Sequence, residues 1–135
     1  MRYALLIVDP ESANPSSEPP PPEIQAQVAD AYNAYTQMLK DRGAFLGGEA
    51  LQPNPTATTV RVTEGRTVTT DGPFIEAKEA LGGFYLIEAG DLDAAIALAA
   101  ACPGAKYGAI EIRPIWEYGD EAESVPAGEE TGQPT

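Results

Sequence analysis

A chain of 135 residues, 43% of them hydrophobic, is long enough to bury the core of one domain without metals or disulfides. Eight basic residues against 21 acidic ones leave a net charge of −13, a field that repels phosphate backbones and argues against nucleic acid as a partner. With no histidine and one cysteine, Cys102, the chain has no Ser-His-Asp or Cys-His machinery, no internal disulfide and no Cys- or His-based metal cluster.

The opening MRYALLIVDP carries an apolar run too short for a signal sequence or a membrane span, and nothing later approaches 18 apolar residues. A cytoplasmic location without membrane contact is therefore expected. Tyr3 to Val8 is apolar on both parities and reads as a strand buried on both faces. Asp9 to Pro22, with ESANPSSEPPPP at its centre, reads as an exposed loop, because consecutive prolines cannot donate to a ladder. Glu23 to Arg42 is the clearest helix: Ile24, Val28, Ala31, Tyr35 and Met38 recur at spacings of four and three and form one stripe. Gly43, just past Lys40 and Arg42, suits a left-handed C-cap. Ala44 to Leu51 is a second strand, weakened or bulged at Gly47 and Gly48.

Thr58 to Thr70 is a hairpin by alternation and β-branching. A two-residue Glu64-Gly65 turn mixes its apolar faces. A three-residue loop Thr63-Glu64-Gly65 sets Val60 opposite Val68, and the apolar pattern favours that register. Phe84 to Ala89 is a core strand. Asp91 caps a helix over LDAAIALAAA in which Leu92, Ile96 and Ala99 or Ala100 share a face, and Pro103-Gly104 stops it. Tyr107 to Tyr118 is the last strand, with Ile110, Ile112, Trp116 and Tyr118 on one parity and Glu111 and Arg113 on the other. Pro114 puts it at an edge or bends it.

Without the hairpin, the order is βαββαβ, an α+β, ferredoxin-like arrangement of an antiparallel sheet with two helices on one face. The second face needs cover, and a second copy packed sheet to sheet, in a homodimer, is the simplest. Residues 1–118 are the domain. From Gly119 onward the chain is acidic, rich in Gly, Pro, Ser and Thr, and expected to be a disordered tail.

Met1 to about Tyr118 resembles the YCII-related proteins of the DGPF subgroup. The likeness is carried by RYALLIV, by GGEALQP at Gly47 to Pro53, by TVRVTEGRTVTTDGPFIEAKEALGGFYLIEA and by IEIRP at Ile110 to Pro114. It implies a dimeric α/β barrel of ferredoxin-like units, usually bacterial, often encoded near extracytoplasmic-function sigma factors. Relatives in the wider superfamily look like small-molecule enzymes, some with a His-Asp pair. This chain has no histidine, so only the aspartate half of such a pair has room for a counterpart.

Asp71, in DGPF, has two readings. It is either a general base at a barrel mouth, or a cap whose carboxylate accepts backbone N–H groups at the start of a short FIEAKEAL helix with Pro73 in its first turn. Glu76 and Glu79 share a side of that helix. Lys78 points elsewhere and could anchor a ligand anion, with Glu76 set to pair with Arg113; the alternative is a solvated face. Glu111 and Arg113 share a face of the last strand, where Arg113 needs a carboxylate such as Glu49, either as an anion pocket or as an ion pair fixing the dimer register. Tyr3, Tyr85 and Trp116 read as core or interface aromatics, and Cys102 as a small buried residue. No metal spacing or dinucleotide fingerprint is present, and Gly82-Gly83 precedes a strand where a phosphate loop follows one. Two functions remain open: a cofactor-free small-molecule enzyme or binder built around Asp71, Glu49, Glu76, Lys78 and Arg113, or a non-catalytic accessory dimer linked to a sigma factor.

Overall fold

β1 (Arg2–Asp9) lies inside a four-stranded antiparallel sheet in a computed structural model that describes residues 1–10, 21–73 and 80–118. It pairs with β5 (Ala80–Glu88) on one side and with β6 (Ala109–Pro114) on the other, while β2 (Phe45–Ala50) adds to the far side of β5. The spatial order is β2-β5-β1-β6. With α1 (Pro22–Asp41) joining β1 to β2 and α2 (Leu92–Ala100) joining β5 to β6, this is the ferredoxin-like βαββαβ expected from the pattern. Among the described residues the sheet is open and closes no barrel. Pro114 ends an edge strand, where its missing N–H costs no ladder bond. The tail expected from Gly119 lies outside the described residues. No described helix is long and apolar enough to cross a membrane.

The core sits between one sheet face and the two helices. Tyr3, Leu5 and Ile7 of β1 and Tyr85 and Ile87 of β5 meet Tyr35 and Leu39 of α1 and Ala95, Leu98 and Ala99 of α2. The Tyr35 hydroxyl donates to Leu98 O at 2.7 Å and ties the helices together. Small alanines let α2 lie close to the sheet. Burial along β1 alternates, with Ala4, Leu6 and Val8 only half-buried on the opposite face. The expectation of burial on both faces is thus corrected for the single chain, because both helices pack on one side.

Local caps behave as their chemistry dictates. Gly43 takes φ +71° after α1, and Asp91 accepts from the Ala94 N–H at 2.8 Å at the start of α2. The faces of the helices differ from the expected ones. Ile24 and Val28 are about half exposed, and burial in α1 falls on Tyr35 and Leu39. In α2 it falls on Ala95, Leu98 and Ala99, leaving Leu92 and Ile96 outside. Trp116 is also exposed, stacked on Tyr118 beyond the end of β6 rather than in a core.

β3 (Thr58–Thr63) and β4 (Arg66–Asp71) form a separate two-stranded hairpin. Thr63 pairs with Arg66 and Val62 with Thr67, so the loop is the two-residue Glu64-Gly65 turn, not the three-residue one. Both turn residues have positive φ, 52° and 75°, the geometry whose twist matches a hairpin. Neither face of this hairpin is buried, so its valines had no power to set the register. Of the expected FIEAKEAL helix, residues 74–79 lie outside the described residues, while Ala80 and Leu81 belong to β5, opposite Asp9 and Val8.

Candidate functional site

A cavity of about 610 Å³ opens between the N-terminal half of α1 and the sheet. Its origin is a lack of side chains. Register places Gly48 opposite Tyr85 and Ala50 opposite Gly83, so Gly48, Ala50 and Gly83 lie on the helix-facing side of adjacent strands. Two glycines and an alanine therefore occupy a floor where larger residues would fill the space beneath α1, and Gly82 borders it too. The strands are also too close for more. A Cβ on Gly48 would lie 2.7 Å from Phe84 O, and one on Gly83 would lie 2.9 Å from Glu49 O. The GG pairs at 47–48 and 82–83 thus shape a cavity, while the bulge expected at Gly47 and Gly48 falls just before them, between Phe45 and Gly47.

The wall comes from α1. Gln25, Val28, Ala29, Tyr32, Asn33 and Thr36 follow one another at helical spacing and line the space. The Thr36 hydroxyl lies 2.7 Å from the Tyr85 hydroxyl. Tyr85 also meets Tyr35 edge-on, ring centroids 5.2 Å apart, and Phe45 at 6.3 Å. Burial raises the Tyr85 phenol above its ordinary range, and the Thr36 hydrogen bond opposes that rise. Tyr32 is raised further, first by burial and then by Cys102, whose sulfur accepts a hydrogen bond from its hydroxyl. Both phenols are therefore neutral hydrogen-bonding groups at physiological pH. Asp9, on the same parity of β1 as Ile7, brings a half-buried carboxylate to the lining.

Of the residues singled out from sequence, Glu49 borders this cavity. It alternates in the pleat with Gly48 and Ala50, so it belongs to the rim rather than the floor. Asp71 is exposed at the end of β4, opposite Thr58, and is not among the lining residues. The turn after it is held by the backbone of Gly72, at φ +97°: its N–H donates to Ala57 O at 2.7 Å, and its carbonyl accepts from the Thr59 hydroxyl. Arg113 binds Glu111 on its own strand at 2.6 Å, not Glu49, because β2 and β6 are opposite edges of the sheet. That pair is exposed and contributes at most ~1 kcal/mol. Glu76, Glu79 and Lys78 lie outside the described residues. Among the described residues, no three His, Cys, Asp or Glu side chains gather as a metal site requires.

Sequence reading passed over Asp9, Tyr32, Thr36 and the role of Tyr85. The legible signal was the stripe Gln25, Ala29, Tyr32 and Thr36, one helical position round from the apolar stripe and richer in polar groups.

The family model of the YCII-related domain matches residues 1–119. An uncharacterised protein of Rhizobium meliloti (strain 1021) is 34% identical over 120 residues, spanning 87% of this chain and 94% of its own length. A solved structure of 5-chloro-2-hydroxyhydroquinone dehydrochlorinase from Burkholderia phenoliruptrix AC1100, complexed with 2,5-dihydroxybenzoquinone, is 19% identical. It covers 88% of this chain and 96% of its own at a TM-score of 0.47, too loose a superposition to carry an argument about chemistry.

Proposed function

The chain belongs to the YCII-related family, and on that footing we propose that it takes a small organic molecule into the cavity between α1 and the sheet, as a ligand or as the substrate of a cofactor-free reaction. The observation that carries this reading is the glycine-floored cavity. Its volume falls within the ~300–1,000 Å³ of ordinary small-molecule sites, and its apolar lining holds a few polar groups that could orient a guest. Ile7, Val28, Ala29 and Phe45 supply apolar contact, while Thr36, Tyr85 and Asn33 offer hydrogen bonds. Any proton transfer falls to a carboxylate, because the phenols are raised. Asp9 is the carboxylate in the lining, with Glu49 at the rim. The general-base role read for Asp71 rests on the DGPF motif and not on this cavity.

The neutral fluorophore N-phenyl-1-naphthylamine tests the reading. We expect saturable binding, one molecule per chain, with a rise in fluorescence. Ala29→Trp, on an exposed helix position at the cavity wall, should abolish it while leaving the circular dichroism unchanged. No binding to the native protein, or equal binding to Ala29→Trp, would sink the proposal.

A homodimer belongs to the same reading. Its support is the second face of the sheet, where Ala4, Leu6, Val8 and Leu86 remain half-buried in a single chain. That face also favours the accessory-partner alternative. Sedimentation at micromolar concentration tests the dimer, with a monomer as the adverse result.

A further inference from the structure

Gly104 lies in the 3₁₀ turn Pro103–Lys106 between α2 and β6 and is not part of the cavity lining. Its φ is not among the positive ones, so its backbone does not require glycine. Space does. A Cβ at Gly104 would stand 2.7 Å from the Tyr32 hydroxyl oxygen and 3.0 Å from Ile7 Cγ2, and both Tyr32 and Ile7 line the cavity.

We propose that Gly104 sets the position of Tyr32, and through it the depth of the cavity, as a specificity-determining residue that acts from behind the wall. The proposal rests on the cavity being a binding site. The turn is not free to retreat. The Gly104 N–H donates to the Cys102 sulfur, its carbonyl accepts from the Gly108 N–H at 2.9 Å, and the Ala105 N–H donates to Cys102 O at 2.9 Å. The phenol tip of Tyr32 is the far end of a side chain with empty space beside it. An added methyl group therefore displaces the ring into the cavity, breaks its bond to Cys102 and shortens the space left for a guest.

A double-mutant cycle reads this out. N-phenyl-1-naphthylamine affinity should fall about tenfold in Gly104→Ala, a change of ~1.4 kcal/mol. In a Tyr32→Phe background, which lacks the atom that the methyl group meets, the same Gly104→Ala step should have less than a third of that effect on the logarithm of affinity. Equal losses in both backgrounds would overturn the proposal while leaving the cavity reading intact. Failure of the native protein to bind the probe would remove the cavity reading and this proposal with it. A second measurement needs no ligand. In ¹³C-tyrosine spectra at neutral pH, with Tyr32 assigned from the Tyr32→Phe variant, its ring shifts should move in Gly104→Ala relative to the native protein. Unmoved Tyr32 shifts would show that Gly104 does not position it.

Discussion

The hydroxyls of Thr36 and Tyr85, 2.7 Å apart, join α1 to β5 at the wall of the cavity. The contact is partly buried, so a lost partner is not fully replaced by water. Thr36→Val keeps the shape and removes the hydroxyl. It should cost about 1 kcal/mol in urea unfolding, whereas Thr36→Ser should stay close to the native value. A neutral Thr36→Val would mean that the pair does not hold the helix.

Tyr32, Tyr35 and Tyr85 all carry phenols raised above the ordinary value of 10.0, with burial the largest cause. The unfolded chain loses these protons first as pH rises, so above pH ~10 the folded state binds more protons than the unfolded one. Stability contributed by these groups is complete below pH 10 and declines as pH climbs towards their folded values. Urea midpoints should therefore change little on their account between pH 8 and 9.5 and drop steeply beyond pH 10. A midpoint that held steady to pH 12 would show that these rings are not buried.

Asp91 accepts from the Ala94 N–H at the start of α2, a helix whose alanines pack on the sheet. Asp91→Ala should destabilise the protein by ~1 kcal/mol and Asp91→Ser by much less. Thermal unfolding of the three proteins checks the order.

At the hairpin, Gly65 holds φ 75° and Glu64 φ 52°. Gly65→Ala forces a methyl group into the left-handed region at a cost of roughly 1 kcal/mol, and Glu64→Asn should relax it. Amide exchange at Thr63 and Arg66, which pair across the turn, should quicken in the first variant and slow in the second.

What could be read from sequence was whatever a few neighbouring residues decide. The element order, the Gly43 and Asp91 caps, the stop at Pro103 and the bulge before Gly48 all follow from local chemistry. What failed depended on partners far along the chain. Ile24 and Val28 look like core by spacing, yet both are about half exposed, and Val28 lines a cavity whose glycine floor comes from strands about 20 to 55 residues away. The hairpin's valines suggested a register, but with no core beneath it the turn prevailed. Asp71 attracts notice because DGPF is a compact motif. The cavity, by contrast, is assembled from β1, α1, β2 and β5, and only the register of β2 on β5 reveals that Gly48 and Gly83 share a face.

The most direct test of the cavity is to map a bound guest onto the fold. In ¹⁵N spectra with N-phenyl-1-naphthylamine, we expect amide shifts concentrated at Tyr32, Asn33, Thr36, Gly48 and Gly83, with Glu111 and Arg113 on the opposite face unmoved. Shifts centred on Ala4, Leu6, Glu111 and Arg113 would contradict the account, because they would place the guest on the open sheet and leave the space beneath α1 without a role.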